Sequence, residues 1–312
     1  MKDQRWRESL TRRLPATAWR TRFAPAPTGF LHLGHLVNAM YVWGIARAHG
    51  GTVVLRIEDH DRTRCRFEYE CALLDDLDWL GFVPDFANTD SFRAQQRSHT
   101  FRQSNNPQRY RDALEQLELR RAVYACNCTR RDIAGRAPHD AGEEPRYPGT
   151  CAHGLVDRAS TSARRVRIVD EAEQFDDLRC GVIAQRPAQQ CGDVLVRDRH
   201  DGFTYQFSVV VDDMAHDIDV IVRGEDLLAS TGRQQAIARL LGRRTMPLVL
   251  HHPLLLRADG TKLSKANRDT SLRERRASGA SADALRGEAA LLCGLAETAA
   301  PLSVNDVVSL FR

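Results

Sequence analysis

A chain of 312 residues, 42% apolar, is long enough for one large domain or two ordinary ones and can build real cores. Its formal charge of +4 is too mild to establish a nucleic-acid partner, and without a run of about 18 apolar residues no membrane span is expected. Eight irregularly spaced cysteines and an Arg-rich start with no apolar signal core point to a reducing cytoplasm rather than a disulfide framework.

In chain order, residues 1–17 read as a solvated basic tail. Trp19–Phe23 reads as a strand, and Ala24-Pro-Ala-Pro-Thr-Gly29 as a loop, because two prolines and a glycine bar regular structure. A helix is expected from Leu33 to His49, then a buried strand over Thr52–Ile57 and a helix over 66–80 that stops at Gly81. Strand, glycine-containing loop, helix and strand make the opening unit of a nucleotide-binding sheet. Residues 84–106 read as an extended polar loop, followed by a helix from Pro107 to Arg121. Cys126–Cys151 is rich in breakers and reads as a small module not held by an apolar core; short strands follow over 160–200. Asp201-Gly202 reads as a hairpin turn, Val209–Val211 and Val220–Val222 as buried strands, 226–241 as a helix and 249–256 as a strand. Two short helices, near 282–295 and 305–311, close the chain, and no internal repeat is visible.

Three groups of residues carry chemistry. His32-Leu-Gly34-His35 sits where a loop opens a helix after the first strand. The missing side chain at Gly34 allows close approach of a nucleotide, and the helix N-terminus and two imidazoles favour phosphates. Lysine is the second signal. Of 45 basic residues only Lys2, Lys262 and Lys265 are lysine, so the other 42 are arginine. Two compact ammonium groups flanking Leu-Ser suit a loop around phosphate oxygens, although a plain surface turn fits the same residues. Third, Cys126, Cys128 and Cys151 offer three thiolates for one zinc ion. By chemistry alone His139 or His153 could complete the tetrahedron. The remaining cysteines read as inert packing residues.

Together the HLGH and KLSK loops resemble the paired signature motifs of class I aminoacyl-tRNA synthetases. RFAPAPTGFLHLGH, RIEDHDRTR at 56–64, VVVDD and VIVRGEDLL are similar to the glutamyl subgroup, over about residues 20–270. The resemblance implies an α/β fold with a Rossmann-like parallel sheet, an inserted zinc-bearing module and a short C-terminal helical part. It implies attack of a glutamate carboxylate on the α-phosphorus of ATP, with magnesium carried by the nucleotide. Such a site needs positioning and charge stabilisation but no protein base. His32, His35, Lys262 and Lys265 are the implied catalytic groups, and His32, Gly34, His35 and Lys265 the ATP-binding ones. Arg22 and Arg223 are implied to hold the side-chain carboxylate, Glu58 the ammonium and Tyr205 a further hydrogen bond, with Phe23, Ala24, Pro25 and Ala26 lining the glutamate site. Ala26 stands where the family usually has serine, which removes a hydroxyl. The resemblance also makes Tyr147 the fourth zinc ligand.

After Lys265 only 47 residues remain, with no room for the anticodon-binding region of a complete glutamyl-tRNA synthetase. This, the KLSKAN loop and the Cys-x-Cys, Tyr, Cys set resemble the truncated glutamyl-Q tRNA(Asp) synthetase family. The implied partners are L-glutamate, ATP and queuosine-containing tRNA(Asp), modified at the wobble base; no membrane and no obligate protein partner are expected. The alternatives are a short glutamyl-tRNA synthetase that charges an acceptor stem, a catalytically silent tRNA- or amino-acid-binding paralogue, and a small-molecule adenylyltransferase. The expected units are a tail over 1–18, half-domains over 19–122 and 191–256, an inserted module over 123–190, and the KLSK loop with C-terminal helices over 257–312.

Overall fold

The computed structural model describes residues 5–95, 98–136, 145–154, 162–255 and 270–312. Lys2, His139, Lys262 and Lys265 lie outside these residues. The central layer is a parallel sheet. Strand β1 (Trp19–Phe23) pairs in parallel with β2 (Gly51–Leu55). Strand β8 (Val220–Gly224) pairs in parallel with β9 (Leu248–His252), and β9 with β5 (Glu173–Asp177), while β6 (Gly181–Gln185) adds an antiparallel edge. β8 lies beside β1, where the Asp219 N–H donates to Arg20 O at 2.9 Å.

Helix α2 (Leu33–Ala48) crosses from β1 to β2. Its residues Leu36, Val37 and Ala39 to Ala46 are buried, so it is apolar nearly all round. Such a helix must be covered on both sides. The sheet covers one side, and α11 (Ala282–Leu292) and α12 (Val304–Ser309) the other. Gly44 of α2 lies against the Phe311 ring, and a Cβ there would enter it. A second core joins α5 (Pro107–Leu119), α8 (Tyr205–Ala215) and α9 (Thr231–Leu240) to an antiparallel sheet. That sheet is β3 (Val123–Cys126), β4 (Ala163–Val166) and β7 (Val194–Arg197), in the order β3-β4-β7. No helix among the described residues is long and apolar enough to cross a membrane.

Several expectations are corrected. The solvated tail is instead helix α1 over Arg5–Arg13. Leu10 is wholly buried, Trp6 stacks on Tyr41 at 6.2 Å between ring centres, and Arg13 donates to Leu178 O and Asp177 O. Charge counting missed the amphipathic stripe of Trp6, Leu10 and Leu14. The polar loop over 84–106 contains α4 (Thr89–Ala94), capped by the Asn88 side chain, and a 3-10 turn at Gln103–Asn105. Phe92 anchors it, and Ile57 exchanges backbone hydrogen bonds with Phe101 and Gln103.

Val209–Val211 belong to α8, not to a strand. Asp212 near its end bonds Gln103, Tyr110 and Arg109 while Asp213 bonds Arg22 and Arg56, and this tertiary context overrides the β preference of valine. The expected helix over 226–241 is wound as a 3-10 turn over Glu225–Ser230 before α9. β9 ends at His252 because Pro253 has no N–H for the ladder. Leu10→Ala should cost about 2–5 kcal/mol of stability, read as a lower urea midpoint; an unchanged midpoint would mean that α1 does not contribute to the core.

Candidate active site and metal centre

The C-terminal ends of β1 and β8 open onto a cavity of about 680 Å³. Ligands of open α/β sheets bind at such strand ends. Arg22, Phe23, Ala24, Pro25, Ala26, His32, Gly34, His35, Glu58, Tyr205 and Arg223 all line it. The structure therefore brings together every described residue that the sequence nominated for the glutamate and nucleotide sites.

At one end of the cavity, His32 caps α2. Its Nδ1 accepts the Gly34 N–H at 3.1 Å, and its own backbone N–H donates to His35 Nδ1 at 3.2 Å. Because both Nδ1 atoms accept, each neutral ring carries its proton on Nε2. The two rings thus offer N–H donors beside the positive end of a helix, a favourable place for phosphate. Gly34 is required by this cap, since a Cβ there would stand 2.9 Å from His32 Cε1.

The other end is built from ions. Asp213 of α8 accepts from Arg22 Nε at 3.1 Å and from Arg56 Nη1 at 2.6 Å. Arg56 is fully buried and also donates to Glu58 Oε1, at 2.8 Å from Nη2. Both bonds from Arg56 end on Oε1 of Glu58, and Oε2 accepts none among the described residues. Burial pushes the Asp213 carboxyl up, but the Arg22 and Arg56 guanidiniums overcome it and hold the group at about 2.

Arg223 is different. Its donors go to His251 Nε2 at 3.0 Å, Gln234 Oε1 at 2.6 Å and Thr231 Oγ1 at 2.8 Å, and none of these is a carboxylate. Burial lowers its affinity for its proton. Arg22, Arg56 and Arg223 against Asp213 and Glu58 sum to a formal charge of +1 (3 − 2 = 1), and Arg64 and Asp226, also on the cavity wall, offset each other. Burial also pushes the Tyr205 phenol up, so it stays a neutral hydrogen-bonding group.

Sequence reasoning quoted RIED and VVVDD but gave no role to Arg56, Asp59, Asp212 or Asp213. Asp59 accepts from Ser104 N at 2.8 Å and from Arg102 at 3.2 Å, which ties the 99–105 segment to the strand end. Asp212 accepts from Gln103 at 2.8 Å, Tyr110 at 2.9 Å and Arg109 at 2.6 Å. His60, Asn38 and His252 also line the cavity, and Asn38 Nδ2 lies 3.0 Å from His252 Nε2.

Away from the cavity, Cys126, Cys128 and Cys151 place their sulfurs within 4.8 Å of one another. The Tyr147 hydroxyl lies 3.5 Å from Cys126 Sγ and 4.0 Å from Cys128 Sγ. A tetrahedral zinc with Zn–S of about 2.3 Å sets its sulfurs about 3.8 Å apart, so this donor set fits the ion. His153 is exposed and outside the cluster. Arg165 lies 3.8 Å over the Tyr147 ring and donates Nε to Cys126 Sγ at 3.4 Å, a cation placed to balance thiolates.

The buried ion cluster makes stability depend on acid. The Asp213 contribution is complete above about pH 4, where an unfolded aspartate is ionised, and is lost as pH falls through about 2. Asp213→Asn should lower the unfolding free energy at pH 7 by about 3–5 kcal/mol, because two buried guanidiniums lose their partner. In urea titrations the gap between variant and parent should shrink between about pH 4 and pH 2; a constant gap would deny the ionised state.

The profile of the class I tRNA synthetase (E and Q) catalytic domain matches residues 18–292. A glutamyl-Q tRNA(Asp) synthetase of Nitratidesulfovibrio vulgaris is 38% identical over 306 residues, 93% of this chain and 91% of that protein. One from Cupriavidus metallidurans is 43% identical over 253 residues, 79% of this chain and 77% of that protein. Among solved structures, a glutamate tRNA ligase from Elizabethkingia meningosepticum superposes with TM-score 0.76 at 23% identity over 94% of this chain. A glutamate-tRNA synthetase from Elizabethkingia anophelis does so with TM-score 0.77 over 95%. The chain spans only 65% and 66% of the length of those two structures, which share its fold. The cleft at the strand ends, the capped histidine loop and these likenesses lead to one assignment: the chain is a ligase of the class I tRNA synthetases of the E and Q type, in the glutamyl-Q tRNA(Asp) synthetase family.

Proposed function

We propose that the protein activates L-glutamate with ATP, without tRNA, and transfers it to queuosine at the wobble position of tRNA(Asp). The observation that carries the first half is the net positive charge of the amino acid end, where Arg223 is held by neutral groups only. Glutamate, with two carboxylates and one ammonium, has net charge −1 and complements it. Its ammonium meets Glu58 Oε2, its side-chain carboxylate meets Arg22 and Arg223, and its α-carboxylate points toward the capped histidines. The Tyr205 hydroxyl adds a hydrogen bond, and Ala26 contributes its backbone only.

The attacking carboxylate is already an anion, so its oxygen adds to the α-phosphorus and pyrophosphate leaves without a protein base. His32 and His35 supply N–H donors to phosphate oxygens, and Lys262 and Lys265 supply cations. In the second step the acceptor hydroxyl oxygen attacks the glutamyl carbonyl, the bond from that carbon to the AMP oxygen breaks, and the hydroxyl proton goes to the departing phosphate. The relatives named for tRNA(Asp) support this acceptor. Cys126, Cys128, Cys151 and Tyr147 would hold one zinc ion, which when bound would cross-link a module with little core of its own. Eight free thiols fit a cytoplasmic setting.

Purified protein should support glutamate-dependent ATP–pyrophosphate exchange with no RNA added; a signal that appears only with tRNA would refute autonomous activation. Lys265→Ala should cut exchange about 10²–10³-fold, and Lys265→Arg should be poor too, since a fork does not replace a point charge. Labelled glutamate should survive removal of the 3′-terminal adenosine of tRNA and vanish with tRNA lacking queuosine. Label that follows the 3′ end would instead make this an acceptor-stem enzyme. Elemental analysis should find one zinc, lost in Cys126→Ser and Cys151→Ser but kept in His139→Ala and His153→Ala; a folded, reduced protein without metal would end the zinc assignment.

A further inference from the structure

We propose that Asp177 and His251 are positioning residues that aim Arg223 without neutralising it, and so set the selectivity for an anionic amino acid side chain. This rests on the reading of Arg223 as the carboxylate-holding group.

Both residues are completely buried. Asp177 ends β5 and His251 lies in β9, where it is the registered partner of Arg223 on β8. Asp177 Oδ1 accepts the backbone N–H groups of Arg179 at 2.9 Å and Cys180 at 2.8 Å. Asp177 Oδ2 lies 3.1 Å from the His251 backbone N and 2.6 Å from its ring Nδ1. An ionised carboxylate only accepts, so His251 Nδ1 carries a proton. In the neutral ring Nε2 is then a bare acceptor. That is the atom to which Arg223 Nε donates at 3.0 Å. Burial favours the neutral ring, and His251 and the two backbone amides hold the Asp177 carboxyl down against its own burial. A proton on Nε2 would set one N–H against another.

The other partners of Arg223 are aimed in the same way. Gln234 Nε2 donates to Gln206 Oε1 at 2.9 Å, which turns Gln234 Oε1 toward Arg223. A carboxylate in direct contact would fix the guanidinium equally well but would compete with the substrate carboxylate, as Asp213 does at Arg22. Placing the aspartate one imidazole away keeps the orientation and leaves the charge available. Such carboxylate–imidazole pairs orient metal-bound histidines by the same logic. Helix α1 braces the arrangement, since Arg13 donates to the Asp177 carbonyl oxygen at 2.9 Å.

The test is ATP–pyrophosphate exchange with full-length protein, with KM measured separately for glutamate and for ATP. His251→Leu should raise KM for glutamate about 10- to 100-fold, the usual cost of a hydrogen bond to a charged group, while KM for ATP changes far less. His251→Gln should recover most of the loss, because its amide oxygen reaches the same N–H. His251→Asn, too short to reach, should not; the Gln and Asn pair carries the test if the leucine variant does not fold. Equal rises in both KM values, or no advantage of Gln over Asn, would overturn the proposal. Arg223→Gln separates the two levels. An unchanged glutamate KM in that variant would overturn the reading of Arg223 itself. A large rise there with none in the His251 variants would overturn only the proposed aiming.

Discussion

The Arg22 end of the cleft is organised around one buried carboxylate. Asp213 takes hydrogen bonds from Arg22 on β1 and from Arg56 beyond β2, and it reaches them from α8. It therefore joins the two strands of the opening unit to the second core. Removing either sign from such a cluster strands the other in low dielectric. The position of β1 against α8, and with it the mouth between Arg22 and Tyr205, follows from satisfying this group. The cluster is built so that Glu58 keeps one oxygen outside the internal bonds. Structure and recognition thus share the same charges, and the site costs little extra ordering when a ligand arrives.

The two ends of the cleft use different physics for the same purpose. At the histidine end orientation is local: His32 and His35 are fixed by the backbone amides that a helix start leaves unpaired. At the arginine end orientation is tertiary, and each cation is fixed by residues more than 150 positions away or by a relay through neighbouring strands. A local cap survives small changes in packing, whereas a tertiary cluster does not. The Arg22–Arg56–Arg223 end is therefore more exposed to distant mutation than the histidine loop.

The pattern of legibility follows from this. The strand, loop and helix around HLGH were readable because proline, glycine and apolar periodicity act over a few residues. The clustering of Cys126, Cys128 and Cys151 was readable because three cysteines in a breaker-rich stretch have little else to do. Asp213, His251 and Asp177 were not, because their partners are 191, 28 and 74 positions away in sequence. Val209–Val211 misled for a similar reason: a valine run signals burial without deciding between strand and helix, and the partners of α8 are distant in sequence. In α1 Trp6 and Leu10 outweigh the charges around them once a partner surface exists, and Trp6 meets Tyr41 and Phe311 from opposite halves of the chain.

A minority of the arginines, eight among the described residues, have a structural use that composition alone disguised. Arg22, Arg56, Arg102, Arg164, Arg165, Arg223, Arg233 and Arg286 are buried, so these cations are not a solvated face. Arg56 bridges Asp213 and Glu58; Arg102 reaches Glu70 with both terminal nitrogens and Asp59 with one; Arg165 stacks on Tyr147 while it donates to Cys126 and to Asp193 O. Each task needs a flat group with donors along more than one edge, which an ammonium cannot supply. Lysine in these places would leave one partner unpaired in the interior, at a cost of about 1–3 kcal/mol each. The chain thus uses guanidinium as mortar between its elements. A compact and flexible ammonium suits a different task, following charge that shifts during a reaction, and that is the role proposed above for the two lysines of the KLSK loop.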